Sequence, residues 1–319
     1  MEFKHTDSGT VMEFKHIPVM LDECIAGLNI KPDGIYVDGT AGGAGHSREI
    51  ARRLTTGRLI AIDRDPDAVK IARERLYGLN AAVVHDHFGN IDNILKDLGI
   101  ERIDGMLLDL GVSSYQLDNA ERGFSYHTDA ELDMRMSREG LSARDVVNTY
   151  PYSELCRILF EYGEEKFAKS IASNIVKMRE SKPIESTAEL AEIVKTSVPS
   201  RVRREKNPCK KTFQAIRIEV NNELGELSQA LDKAFEVLNP KGRLAVITFH
   251  SLEDRLVKQR FATFAQGCIC PPEFPVCVCG RTPRAKLVNK KPIEPSQAEL
   301  ESNNRSHSAK LRIIEKIKD

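Results

Sequence analysis

Short apolar runs separated by amphipathic stretches organise the first third of the chain. Ile35–Asp38, Leu59–Asp63, Ala81–Val84 and Gly105–Asp109 are apolar almost throughout, and three of the four end on aspartate. Strands that lack polar alternation are buried on both faces, as in a parallel sheet covered by helices. Helical periodicity fills the gaps, over 66–76 with Pro66 in the first turn and over 91–98. The β-α-β-α-β-α-β order predicts an α/β fold with a doubly wound, mostly parallel sheet. A short amphipathic helix over 19–28 and a turn at Pro32-Asp33-Gly34 precede it.

The alternation then stops. Residues 113–137 are polar and irregular, and three helical sets follow: Leu155, Ile158, Leu159 and Tyr162; Phe167, Ile171, Ile175 and Met178; Leu190, Ile193 and Val194. Ser186-Thr187-Ala188-Glu189 has the form of a capping box for the last set. A basic loop is expected at 201–211. The α/β pattern resumes with a long helix whose face carries Val220, Leu224, Leu227, Leu231, Phe235 and Leu238. A turn at Asn239-Pro240-Lys241-Gly242, a strand at 244–249 and a helix at 251–264 come next, and Ser308–Ile317 reads as a last edge strand. The expected organisation is a terminal extension (1–11), an α/β domain in two parts (12–112 and 212–319) and an all-helical insertion (113–211). The extension is set apart because Met1-Glu2-Phe3-Lys4-His5 recurs as Met12-Glu13-Phe14-Lys15-His16, an echo too short for a repeat architecture.

Composition narrows the class only a little. The chain has 319 residues, 41% hydrophobic and 29% charged, enough for a sizeable core and against wholesale disorder. No apolar run of membrane-spanning length exists. Lysine plus arginine and aspartate plus glutamate tie at 47 each, so any nucleic-acid surface must come from local clustering. Seven cysteines without a visible secretory signal fit a reducing cytoplasm better than a disulfide framework.

The candidate chemistry begins at Asp38-Gly39-Thr40-Ala41-Gly42-Gly43-Ala44-Gly45-His46, between a predicted strand and helix. Glycines there let backbone approach a ligand at the carboxyl end of the sheet. Asp63 ends the next strand, where a carboxylate can accept from both ribose hydroxyls. The dinucleotide fingerprint fails, because Arg48 stands where its third glycine belongs. Asp38 before the loop suits a cationic ligand without phosphates, and S-adenosylmethionine is such a ligand. Phe88, after the third strand, either stacks on an adenine or is core. Asp109-Leu110-Gly111-Val112-Ser113-Ser114 follows the fourth strand and faces the same crevice.

These blocks together resemble the bacterial 16S rRNA cytosine-N4-methyltransferase family. So do Glu121–Ser125, Leu132–Met136, Tyr162–Glu165, Lys211–Arg217 and Phe249-His250-Ser251-Leu252-Glu253-Asp254-Arg255. The resemblance runs from about His16 to Ile317. It implies a class I (Rossmann-like) methyltransferase domain with an inserted helical domain, acting on N4 of a cytidine in the decoding region near the P site. For the methyl donor it implies Ala44, Gly45, His46, Asp63, Phe88, Asp109 and Gln116. The segment Asn304–Lys310 departs from the family's usual Asn-Pro-Arg-Ala-Arg-Ser, and the loss of an arginine bears on a tail–RNA contact rather than on the reaction.

The amino-methylating DNA enzymes carry an Asp/Ser/Asn-Pro-Pro-aromatic motif after the fourth strand, which is absent here. Asp109, Ser113 and Ser114 occupy that stretch and, with His250, are the candidates for holding the target amine. His250 has a second reading, as the cap of the helix beginning at Ser251. Asp133 and Arg135 equally form an internal ion pair. Arg201, Arg203, Arg204, Lys206, Lys210 and Lys211 make one basic cluster, and Arg281, Arg284, Lys286, Lys290 and Lys291 a second. Both fit phosphate contacts, with 16S rRNA or the small subunit as partner, no membrane, and monomer or homodimer left open. Cys268, Cys270, Cys277 and Cys279 put four thiols within 12 residues: either a Cys₄ zinc site or a loop of free, oxidisable thiols, and no metal is assigned. The competing functions are a noncatalytic ribosome-assembly factor that binds the same nucleoside, and a methyltransferase of DNA or small molecules.

Overall fold

The computed structural model describes residues 18–205, 207–271 and 273–318; the extension at 1–11 and Lys206 lie outside them. The α/β half runs α1 (Leu21–Leu28), β1 (Ile35–Asp38), α2 (Gly45–Ala51), β2 (Arg58–Asp63), α3 (Pro66–Arg75), β3 (Ala81–His85), α4 (Ile91–Asp97) and β4 (Ile103–Asp109). After a short α5 (Ser114–Asp118), five helices follow: α6 (Ala143–Thr149), α7 (Tyr152–Glu161), α8 (Ala168–Ser181), α9 (Thr187–Ser197) and α10 (Ser200–Glu205). Then come α11 (Cys209–Asn221), α12 (Glu223–Val237), β5 (Leu238–Thr248), α13 (Ser251–Ala265), β6 (Ala285–Leu287), α14 (Gln297–Ser302) and β7 (Lys310–Lys316).

The strands form one sheet in the order β3-β2-β1-β4-β5-β7-β6. The first five are parallel and β7 is antiparallel to both its neighbours. This is the doubly wound, mostly parallel sheet that the patterning predicts. Adjacent residues divide between the two faces: Ile60, Ile62, Met106, Leu108 and Val246 pack under α4, α12 and α13, while Leu59, Ala61, Leu107, Ala245 and Ile247 pack under α1, α2 and α3. Strand order reverses between β1 and β4, so a crevice opens above their carboxyl ends.

A third core lies outside the sheet. Leu132, Met134, Val146, Leu155, Ile158, Ile171, Ile175, Leu190 and Val194 close a helical layer, and Phe213, Ala215 and Ile216 of α11 belong to it as well. Residue 211 therefore falls inside a helix, not at the edge of the layer.

Four expectations need correction. Ser308–Ile317 is not an edge strand: β7 sits between β5 and β6, and the edge is Ala285–Leu287, too short to read as an apolar run. The segment 201–211 is helical for most of its length, because α10 and α11 meet there. The long helix over 220–238 breaks at Asn222, which adopts φ 48° and separates α11 from α12. The turn at 239–242 lies inside β5 as a bulge: Ile103 pairs with Leu238 but Gly105 already pairs with Arg243, with Lys241 at φ 71°. Among the described residues no helix is long and apolar enough to cross a membrane.

Candidate active site

A cleft of about 550 Å³ opens where the crevice of the sheet faces α11 and the C-terminal segment. Its floor is the glycine loop between β1 and α2. Gly39 must lack a side chain, since a Cβ would fall 2.6 Å from Leu108 and 3.0 Å from Phe88 Cβ. Gly42 has φ +49°, a conformation that other residues adopt at a cost. The loop is tied to the next strand by Asp63, whose Oδ2 accepts from the Gly42 N–H at 2.7 Å and whose Oδ1 accepts from the Asp65 N–H at 2.8 Å. Asp63 itself lines the cleft. Burial raises the Asp63 carboxyl to about 6, against the two N–H bonds that lower it.

Asp38 is placed differently from the expectation. It is 1% exposed and stands behind the loop: Oδ2 accepts from Ser47 Oγ at 2.6 Å and Oδ1 from the Thr40 N–H at 3.1 Å. Its carboxylate shapes the glycine loop and does not line the cleft. Ala44 is likewise 1% exposed, caps α2 at φ 57°, and is not part of the wall, whereas Gly45 and His46 are.

His46 sits between two partners, with Nε2 3.0 Å from Val19 O and Nδ1 3.6 Å from Asp109 Oδ2. Burial lowers it to about 4, so the ring is neutral at physiological pH. Asp109 ends β4 with its backbone N–H bonded to Thr40 Oγ1 at 2.7 Å. Its Oδ1 is buried without a hydrogen-bond partner. Burial, then the nearby Asp38 and Glu253 carboxylates, push this carboxyl well above the usual range. A buried acceptor without a donor is costly, and Asp109 is one of the residues that line the cleft.

Phe88 lines the cleft and also packs against the core beneath. Ser113 lines the cleft and caps α5, accepting from the Gln116 N–H at 3.2 Å. The side chain of Ser114 lies outside the described residues. Gln116, 4% exposed, has both polar atoms engaged: Oε1 accepts from the Ser113 N–H at 3.0 Å and Nε2 donates to Asp65 Oδ2 at 2.8 Å. It holds the α5 turn against the sheet and also lines the cleft.

His250 opens α13. Its Nδ1 accepts from the Glu253 N–H at 3.4 Å while the Glu253 carboxylate reaches back to the Phe249 and His250 amides, a reciprocal cap. The capping reading of the sequence therefore holds. The ring's Nε2 lies 3.1 Å from Glu253 Oε1 but makes no well-directed hydrogen bond. Burial pushes Glu253 up, yet the His250 imidazole, Arg217 and the Phe249 amide more than offset it and leave this carboxylate below its usual range.

The facing wall is where sequence reasoning fell short. Lys210, Gln214 and Arg217 line the cleft from one face of α11. Their i, i+4, i+7 spacing, flanked by the buried Phe213, is a legible polar stripe. Arg217 holds Glu223 through two bonds of 2.7 and 2.8 Å, and Arg64 holds Glu226 at 2.8 and 3.2 Å. Asn304, Arg305, His307 and Ser308 of the C-terminal segment close a third side, with Arg305 bonded to Asp118. Asp133 and Arg135 form the internal ion pair, at 2.6 Å.

The basic clusters divide. Arg203 and Arg204 are exposed on α10 beside the cleft-lining Lys210, whereas Lys211 donates to the Glu164 carbonyl. In the second cluster Arg284 is bonded to Glu236 at 2.8 and 2.9 Å and Lys286 to Glu315 at 2.8 Å, which reduces its free charge.

Comparison with known proteins adds the lineage. The profile of the MraW methylase family matches residues 13–317. The chain is 55% identical over 314 residues to a ribosomal RNA small subunit methyltransferase H of Lachnospira eligens, covering 97% of this chain and 100% of that one. It is 57% identical over 309 residues to the protein of that name from Clostridium botulinum strain Kyoto, covering 96% and 100%. The Finegoldia magna counterpart is 54% identical over 311 residues, again covering 96% and 100%. An rRNA methylase structure from Streptococcus thermophilus is similar only at 14% identity and TM-score 0.41, covering 93% of this chain and 94% of that one. The full-length match at this identity is decisive: the chain belongs to the MraW methylase family.

Proposed function

We propose that the chain transfers a methyl group from S-adenosylmethionine to N4 of a cytidine in the decoding region of 16S rRNA, within an assembled or nearly assembled small subunit in the cytoplasm. The observation that carries this reading is the cleft: a glycine loop held by Asp63, an unpartnered buried oxygen of Asp109, and a cationic helix face opposite. The rRNA substrate class is supported by the names of the full-length relatives.

The residues fit the methyl donor. Asp63 offers two acceptor lone pairs for ribose hydroxyls, the loop at Gly39–Gly43 leaves room for close backbone approach, and Phe88 presents an aromatic wall. When bound, S-adenosylmethionine supplies a methyl group made electrophilic by its sulfonium. The chain's own task is positioning and proton management. The cytosine amine is a poor nucleophile because its lone pair is delocalised into the ring. An acceptor on N4–H draws the nitrogen toward sp³ character, and Asp109 Oδ1 is a buried acceptor lacking a donor. A cationic ligand in the cleft favours the ionised form of this carboxyl, the form that accepts. Ser113 and His250 line the same cleft. A strong base is not required, since the amine turns acidic once methylated. Lys210 and the exposed Arg203 and Arg204 supply phosphate contacts that position RNA, and the target base leaves its stack to enter the cleft.

We take the helical layer as the recognition unit and draw its end at Asn221, where α11 stops, because α11 shares its core.

The test offers the purified chain labelled S-adenosylmethionine with unmodified small subunits, naked 16S rRNA, tRNA and DNA in parallel, followed by nucleoside mass spectrometry. Label in N4-methylcytidine from subunits is the expected result. Donor binding with no label in any substrate would favour a noncatalytic assembly role and sink this reading.

A further inference from the structure

The segment 266–284, between α13 and β6, has no core. Every described residue in it is exposed or half-exposed, including Ile269 at 51%, Phe274 at 50%, Val276 at 71% and Val278 at 73%. It contains no helix or strand. Loops of this length without structure of their own are uncommon in compact domains unless something else orders them. Four sulfurs stand at its centre.

We propose that Cys268, Cys270, Cys277 and Cys279 bind one structural zinc ion, which takes the place of the missing core. All four Sγ atoms lie within 4.8 Å of one another, and none is disulfide-bonded. Cys268 is 3.4 Å from Cys277 and 3.7 Å from Cys279, and Cys277 is 3.6 Å from Cys279. A tetrahedral site with Zn–S bonds of about 2.3 Å requires sulfurs about 3.8 Å apart, so Cys268, Cys277 and Cys279 need only slight expansion to hold the ion, with Cys270 within 4.8 Å of them as the fourth ligand. The backbone is arranged for thiolates. The Ile269 N–H donates to Cys279 Sγ, the Cys270 N–H to Cys268 Sγ and the Val278 N–H to Cys270 Sγ, each at 3.4 Å. Such donors offset the net double negative charge of a zinc tetrathiolate. The paired C-x-C spacing makes this possible, since each turn presents two sulfurs and an amide on one side.

Soft thiolates in a tetrahedral S₄ set select zinc or iron over hard cations. Four protein ligands leave no open position, which assigns the ion a structural role. Its place in the fold agrees. α13 starts at His250 in the cleft and carries the chain about 22 Å along its axis before the cysteine segment begins. β6 follows and pairs with the far end of β7 through Ala285 and Lys316, at the amino-terminal edge of β5. The ion would sit across the sheet from the methyl-donor cleft. Binding converts four thiols to thiolates and releases up to four protons, with no change of oxidation state.

The test uses the full chain, purified without a metal-binding tag under reducing conditions from zinc-replete cells, with elemental analysis and intact mass. One zinc per chain is expected. Cys268→Ser/Cys277→Ser should carry none while keeping S-adenosylmethionine affinity within about two-fold, as sites this far apart act independently. Should that variant fail to fold, cobalt added to chelator-stripped wild type provides the second readout: intense tetrahedral thiolate bands, abolished by one equivalent of zinc. Iron in place of zinc, a mass lower by four hydrogens from two disulfides, or four thiols that titrate freely without releasing metal would each overturn the proposal.

Discussion

Arg122 donates to Asp65 Oδ2 at 2.7 Å, and the two side chains are 4% and 1% exposed. The pair joins the helical layer to the sheet. Asp65 caps α3 through the Asp67 N–H and also accepts from Gln116, while Arg122 donates to the carbonyls of Arg135 and Met136. Asp65 Oδ2 therefore takes two donors that hold the α5 turn and the following loop beside the methyl-donor cleft, while Oδ1 caps α3. Truncating either partner leaves a buried charge unpaired. Arg122→Met is expected to destabilise the chain by about 3–5 kcal/mol, and Asp65→Asn/Arg122→Met by less than Arg122→Met alone. Urea denaturation of the two variants and the wild type measures this; equal stability of all three would show the pair to be incidental.

Asp63 sets a pH dependence on donor binding. Its carboxyl, raised to about 6 by burial, accepts ligand hydroxyls in its ionised form. Protons and ligand compete, so affinity for S-adenosylmethionine should rise with pH through about 6, and the raised Asp109 carboxyl extends the rise above it. Asp63→Asn should weaken binding about 10- to 100-fold, the value of one charge-assisted hydrogen bond, and remove the part of the rise near pH 6. Calorimetric titration from pH 5 to 8 is the measurement.

His250 calls for a substitution that separates its two roles. His250→Asn preserves a good helix cap, whereas His250→Ala removes it at a cost of about 1 kcal/mol. If Nε2 positions the target amine, both variants lose turnover at least 10-fold while only the alanine variant loses stability. Turnover retained by the asparagine variant would leave His250 as a cap alone.

Asp109→Asn tests the unpartnered acceptor. The amide keeps the shape but presents a donor as well as an acceptor and cannot ionise. We expect kcat to fall about 10²- to 10⁴-fold, the usual range for a positioned acid–base group. KM for the small subunit should change little. A variant as fast as wild type would move the amine contact to Ser113 and His250.

The cationic approach to the cleft has a salt signature. Arg203→Ala/Arg204→Ala/Lys210→Ala removes three charges on α10 and α11. If all three meet phosphates, the slope of log affinity for rRNA against log salt should shrink by about 2–3. An unchanged slope would assign these residues to solvent.

The five parallel strands, most of the helices and the glycine loop were legible in the chain because burial periodicity and turn chemistry are local properties. Ile35–Asp38, Leu59–Asp63 and Gly105–Asp109 could only be strands buried on both sides, and their terminal aspartates mark the crevice. Asp63 and Asp109 were legible as candidates for the same reason, and both line the cleft. Asp38 was not separable from them, because whether a carboxylate faces a ligand or a neighbour depends on Ser47 and Thr40 lying behind the loop. Gln116 has its amide committed to Asp65, a contact across 51 residues. Three-residue β6, which displaces β7 from the edge, has no pattern long enough to read.

What the sequence by itself determined is the five parallel strands, the α/β character and the position of the glycine loop, each encoded within a few turns or strands of chain. What only the tertiary structure decided is which side chains share the cleft. The face of α11 with Lys210, Gln214 and Arg217, and the segment around Arg305 that reaches Asp118 across 187 residues, arrive there by packing of the helical layer and of β7 onto the sheet. Contacts so distant along the chain leave no local periodicity, since they are fixed by the burial of whole faces and not by the preference of any one residue.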